Sequence, residues 1–125
     1  MPTQDRCVSL HPYFAVPEQN LAAFKQLCEQ FVSTTAGETK CLYYGFSFNG
    51  TEVHCREGYE DAEGLLKHIE NVQTLLQQAL GLASVSRLEV HGPLDELAKL
   101  RGPLAALNPA FFTLEYGIRR GSAAA

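Results

Sequence analysis

Asn49-Gly50, set between two runs of alternating apolar and polar residues, constrains this chain more than any other pair of positions. The dipeptide accepts the positive φ angles that a two-residue hairpin turn demands, so it predicts antiparallel strands over about 39–48 and 51–59 and fixes their register. With Phe48 opposite Thr51, Phe46 faces Val53, Tyr44 faces Cys55, Leu42 faces Glu57 and Lys40 faces Tyr59. One face then carries Tyr44, Phe46, Phe48, Val53 and Cys55, and a carboxylate, Glu57, falls at its end. The chain runs from Tyr59 straight into a helical pattern bearing His68. That succession suggests a small pocket between sheet and helix.

The flanking segments complete an alternating order of strands and helices. Residues 6–16 read as a first strand, with Val8, Leu10, Phe14 and Val16 on one side and Cys7, Ser9, His11 and Tyr13 on the other. Pro12 has no N–H for a ladder, so the strand is expected to end or bulge there. Pro17 opens a helix whose apolar stripe is Leu21, Phe24, Leu27, Cys28 and Phe31, and Gly37 offers a stop. A second helix is predicted over 61–79 from Leu65, Leu66, Ile69, Val72, Leu76 and Leu80, with a fourth strand over 84–91. Residues 93–109 form a short helical insertion, 110–119 a C-terminal strand and 121–125 a frayed tail.

This order, βαββαβ with an additional short helix and strand, defines an α+β, ferredoxin-like domain spanning residues 1–125. It predicts an antiparallel sheet with both long helices on one face. The other face is not fully polar either, since Cys41, Tyr43 and Gly45 lie there. In the last strand Phe112, Leu114, Tyr116 and Ile118 are opposed by Phe111. A sheet with apolar content on both faces needs a second cover, and a homodimer is the expected one.

Composition excludes several partners. The net charge is −4 and the only paired cations are Arg119-Arg120, so neither nucleic acid nor an anionic membrane is an expected partner. The amino terminus lacks a basic segment followed by an apolar run, and no apolar run approaches the ~18 residues of a membrane span, so a cytoplasmic location is expected. Cys7, Cys28, Cys41 and Cys55 show no CxxC spacing and read as reduced thiols, with a disulfide framework or a zinc site as the alternatives. His11, His54 and His91 fall on three different strands with no local spacing that demands a metal, and none is expected. Gly50, Gly58 and Gly64 are isolated, and phosphate-loop, nucleophile-elbow, flavin and nicotinamide fingerprints are missing, so no cofactor is expected.

Two residues stand out as candidates for catalysis. Glu57 ends an apolar strand face, where a carboxylate costs several kcal/mol unless it is paired or reaches solvent. It either meets Lys40 or Arg87 in a salt bridge, or it lines a cavity with a raised pKa and exchanges protons near neutrality. His68 lies at the margin of the second helix's buried stripe, with Leu65 one turn before it and Val72 one turn after. It is either a base or hydrogen-bond donor facing a substrate, or a structural histidine bonded to a carbonyl. Tyr44 and Tyr59 share the face of Glu57 and are suited to hold a small molecule by stacking, unless they are simply core. Leu65 and Val72 complete the expected substrate-binding set.

The run Glu57, Tyr59, Glu60, Asp61, Ala62 and His68, preceded by Cys41-Leu42-Tyr43-Tyr44, resembles the antibiotic-biosynthesis-monooxygenase family. The likeness is tightest over 38–75 and holds in outline from Arg6 to His91. It implies a small dimeric α/β barrel. It further implies a cofactor-independent monooxygenase, an oxidoreductase that deprotonates a small aromatic or quinol-like compound and lets the anion supply electrons to dioxygen. His68 or Glu57 would then be the base and Tyr44 and Tyr59 would orient the ring. Two other functions stay open. One is a non-catalytic dimeric protein that binds a small molecule. The other is a haem-binding or haem-degrading protein with His68 as axial ligand, although the chain has no tryptophan, Tyr59 standing nearest to where that branch uses one.

Overall fold

The hairpin forms, but one residue away from where Asn49-Gly50 alone places it. In the computed structural model, which describes residues 3–121, the two turn residues are Gly50 and Thr51, and Asn49 already pairs with Glu52. Gly50 has φ +59° while Asn49 and Thr51 do not take positive φ. Glycine thus occupies the first central position, the place a type II′ turn reserves for it. The Thr51 carbonyl also accepts the Val16 N–H at 2.9 Å, tying the turn to the end of the first strand. The pairing of β2 (Cys41–Asn49) with β3 (Glu52–Tyr59) is therefore offset by two from the expected one. Phe48 faces Val53, Phe46 faces Cys55 and Tyr44 faces Glu57, with a bulge between Cys41 and Tyr43. An offset of two leaves the side chains from Tyr43 to Phe48 on their expected faces, because strand periodicity is two. Past the bulge, Cys41, expected on the far face, pairs with Tyr59 and packs against its cluster. The aromatic–acidic face survives, with Tyr44 rather than Leu42 opposite Glu57.

β1 (Val8–Ala15) lies at the centre, between β3 and β4 (Ser84–Gly92). Pro12 does not end it. The β3 side skips from Leu10↔Glu57 to Tyr13↔His54, and the β4 side shifts register between Tyr13 and Phe14. The ladder toward β3 keeps its register across this gap, and the bulge falls just beyond the proline on the β4 side. Val8, Leu10 and Phe14 face the helices and are buried.

The strand order is β2-β3-β1-β4-β5, and the sheet is mixed rather than wholly antiparallel. β5 (Ala110–Thr113) runs parallel to β4, from Glu89↔Ala110 to Gly92↔Thr113. A parallel neighbour needs a crossover connection, and α4 (Leu94–Leu100) with a 3₁₀ turn at Ala105–Leu107 supplies it. The strand expected to reach 119 stops at Thr113 because β4 ends at Gly92; the Leu114 N–H to Gly92 carbonyl bond, 2.8 Å, is the last rung. Beyond it Tyr116 and Ile118 are exposed. Of the tail expected over 121–125, residues 122–125 lie outside the described residues.

The helices cover one face. α1 (Leu21–Thr35) follows a 3₁₀ turn at Glu18–Asn20 and buries Phe24, Leu27, Cys28 and Phe31 against Phe14 and Val53. The second helix is divided at Val72 into α2 (Ala62–Asn71) and α3 (Gln73–Leu80). A second cluster joins Val8, Tyr59, Leu65 and Val90 to Leu97 and Leu100 of α4. All four cysteines are free thiols. No helix among the described residues is long and apolar enough to cross a membrane.

Candidate active site

Three elements converge on one buried carboxyl. Glu57 lies on β3 between Cys55 and Tyr59, which share its face, and opposite Tyr44 on β2 and Leu10 on β1. It is 3% exposed. The start of α2 is fixed from two sides. Asp61 caps it by accepting the Gly64 N–H at 2.8 Å, and the buried Glu96 of α4 accepts the Ala62 N–H at 2.8 Å. Asp61 also takes the Lys40 ammonium at 2.7 Å. Two turns along, this anchored helix delivers His68, 2% exposed, above the sheet.

The imidazole is held between two carboxylates. Nδ1 lies 3.1 and 3.0 Å from the two oxygens of Glu38, and Nε2 lies 3.4 Å from Glu57 Oε1. Glu38 follows directly on α1, its N–H bonded to the Thr35 carbonyl at 2.9 Å, and Asn71 donates to its Oε2 at 3.2 Å. A carboxylate on Nδ1 keeps the proton there and presents the Nε2 lone pair to Glu57. The Tyr59 hydroxyl donates to Glu57 Oε1 at 2.7 Å. The rings of Tyr44 and Tyr59 stand 5.1 and 5.2 Å from that of His68.

Electrostatics follow from this burial. Removal from water pushes the Glu57 carboxyl up to about 7, with the charge of Glu38 adding to the rise and hydrogen bonds from Tyr59 and Cys55 opposing it. Burial pushes the His68 imidazole below its ordinary value, against the pull of Glu38. Burial thus disfavours the charged form of both groups. Burial and the neighbouring Glu57 push the phenols of Tyr44 and Tyr59 far up, so both are neutral donors.

Glu57 and His68 lie in the wall of a cavity of about 100 Å³ between sheet and helices. Apart from these two, Tyr44 and Cys55, the wall is hydrocarbon and aromatic, including Leu10, Phe14, Phe31, Phe46 and Val72. Leu80, Val85 and Leu107 also line it and are 50%, 42% and 50% exposed, marking its mouth.

The expected site residues therefore separate into two groups. His68, Glu57, Tyr44 and Val72 share the cavity wall. Tyr59 and Leu65 do not. Tyr59 is fully buried behind Glu57 and holds it, and Leu65 packs into the cluster of Val8 and Leu97. The salt-bridge alternative for Glu57 is not realised: Lys40 pairs with Asp61, and Arg87 with Glu89. His54 sits opposite Ser47 rather than Gly45, but on the far face as expected, stacked with His11 and Tyr13 at 5.6 and 4.4 Å. Among the described residues no group of three His, Cys, Asp or Glu is placed to hold a metal ion. Glu38 was not foreseen. A loop acid has no periodicity to mark it, and its partner is 30 residues away.

A crystal structure of MupZ from Pseudomonas fluorescens is 54% identical to this chain with a TM-score of 0.90, over 96% of this chain and 99% of MupZ. More distant structures share the fold. A protein from Nitrosomonas europaea provisionally named an antibiotic biosynthesis monooxygenase is 15% identical, TM-score 0.64, over 73% of this chain and 93% of its own. A protein of the same provisional name from Caulobacter crescentus is 14% identical, TM-score 0.63, over 69% and 88%. No family model and no curated protein matches this chain.

Proposed function

We propose that this chain, which belongs to one family with MupZ from Pseudomonas fluorescens, is an acid–base enzyme in which Glu57 and His68 move a proton at a small, mostly apolar substrate. One observation carries the reading: a buried carboxyl poised near neutrality faces an imidazole nitrogen at 3.4 Å in the wall of an apolar cavity. A general acid or base works best when its pKa lies near the operating pH, and both members of the pair are displaced toward it or held neutral by burial.

Oxygenation is the form of this chemistry we favour, from the names given to proteins of the same fold. The pair removes a proton from an aromatic or quinol-like compound, and the resulting electron-rich anion reacts with dioxygen. The dry wall keeps the anion from being reprotonated by water. Cavity size limits the substrate. An apolar cavity of about 150 Å³ takes up benzene, so about 100 Å³ encloses a short chain or part of one ring, with the remainder in the mouth at Leu80, Val85 and Leu107. Haem does not fit: both imidazole nitrogens face carboxylates and the cavity is far smaller than a macrocycle.

We also propose a homodimer formed through the sheet face away from the helices. Tyr43 and Phe112, 37% and 41% exposed, support it from that face.

The test measures dioxygen uptake and product formation with a panel of phenols and quinols, for the natural chain, Glu57→Gln and His68→Asn. Uptake that both substitutions abolish supports the monooxygenase. Turnover that is unchanged under strict anaerobiosis moves the same pair to a non-oxidative proton transfer. Ligand affinity without turnover of any compound points to a binding protein and ends the enzymatic reading.

A further inference from the structure

Glu38 reaches the substrate cavity's histidine from a second, separate cleft. Its carboxylate holds Nδ1 of His68 from the side opposite Glu57, and the same residue lines an open cleft of about 630 Å³ with Lys40, Glu63, Lys67 and Asn71. The cleft and the substrate cavity share no lining residue. Glu57, His68 and Glu38 thus form an unbroken line from an apolar hollow to a polar, solvent-open groove, with separations of 3.4 and 3.0 Å.

We propose that Glu38 is a positioning and proton-relay residue, through which the Glu57–His68 pair exchanges its proton with water by a path separate from the substrate's mouth. The inference rests on the acid–base reading above. A proton arriving at Nε2, from substrate or from Glu57, makes the imidazolium. The Nδ1 proton then passes to the Glu38 carboxylate and from there to water in the cleft, leaving a neutral ring protonated at Nε2. The relay resets when Nε2 gives its proton to product or to ionised Glu57, as Glu38 takes a proton from water in the cleft and passes it to Nδ1. No bond to carbon and no electron changes hands in these steps.

The arrangement gives reasons for two features otherwise unexplained. Glu38 accepts from Asn71, a residue at the end of α2 that also faces the cleft, so the carboxylate is held at the boundary rather than free in solvent. Lys40, Glu63 and Lys67 line the same cleft, which gives the relay a polar, solvent-open outlet.

The test needs no substrate. Nitrogen-15 labelled protein is followed by NMR at the His68 ring, reading its tautomer, its titration and the rate at which its ring N–H exchanges with water. In Glu38→Gln the amide oxygen still accepts from Nδ1, but the charge and the proton acceptor are gone. The expected result is a His68 that titrates at lower pH, with ring-proton exchange slowed roughly tenfold or more. Glu38→Asp, which keeps the charge but withdraws it from the ring, should slow exchange less and remains readable if the glutamine variant folds poorly. Acetate added to Glu38→Ala should restore exchange. Equal exchange rates in the natural chain and both variants overturn the relay. A changed titration with unchanged exchange leaves Glu38 a purely structural partner and overturns it equally. Failure of the acid–base reading is separate: it appears as full turnover in Glu57→Gln, whatever the ring protons do.

Discussion

Replacing Glu57 by Gln tests the electrostatics of the site through folding stability alone. In the folded chain the carboxyl sits at about 7 against an ordinary value of 4.5, so between those limits the folded state binds more protons than the unfolded one. Stability therefore falls as pH rises through that window, and the loss is complete above it. A displacement from 4.5 to about 7 corresponds to roughly 3 kcal/mol, of which about 2.5 kcal/mol falls between pH 5 and pH 8. The figure is an upper limit, because the imidazole 3.4 Å away can take up the proton that Glu57 releases. Glutamine cannot ionise, and its amide oxygen still accepts the Tyr59 hydroxyl. Urea unfolding of both proteins at pH 5, 6, 7 and 8 should show Glu57→Gln gaining on the natural chain with every step upward. The comparison cancels the titrating groups remote from the site; His68, in contact with Glu57, does not cancel, and its lowered value works in the opposite sense. A stability difference that stays constant from pH 5 to 8, or that shrinks as pH rises, would refute the assignment of Glu57 as a buried carboxyl held neutral by desolvation.

Other outcomes follow from the same structure. Asp61→Ala removes the cap of α2 and the partner of Lys40, and should cost about 1–2 kcal/mol in urea unfolding, loosening the helix that carries His68. Leu97→Ala, at a fully buried position between α4 and the sheet, should cost about 2–5 kcal/mol. Leu76→Phe should fill part of the cavity, so that affinity for any bound small molecule drops while the thermal midpoint is kept or raised. Tyr43→Glu, placed on the sheet face away from the helices, should halve the mass seen by analytical ultracentrifugation, and a natural chain already at 13.7 kDa would end the dimer proposal.

Much of this molecule was legible from local chemistry. The two-residue alternation of the strands and the 3.6-residue spacing of the helices place Phe14, Phe24, Val53 and Leu65 in the interior, where they are buried. Both periodicities depend only on which side chains avoid water. The faces of the hairpin were legible for the same reason: even with the pairing offset by two, Tyr44, Phe46, Cys55 and Glu57 stay together. The pairing itself was not legible. It rests on whether Asn49 or Thr51 joins Gly50 in the turn, a choice tied to the contact of Thr51 with Val16 some 35 residues away. The parallel β5 and its early end were hidden too, since they depend on where β4 stops and where α4 returns the chain.

Glu57 and His68 could be named from the sequence because each breaks a local pattern, an acid on an apolar strand face and an imidazole beside a buried helical stripe. Their distance, the tyrosine that steadies the acid and the second carboxylate behind the imidazole belong to the tertiary structure alone. Glu38 breaks no pattern in its own neighbourhood. It acquires its role only when the end of α1 is folded against α2, where burial converts an ordinary loop acid into the partner that sets which nitrogen of His68 carries a proton.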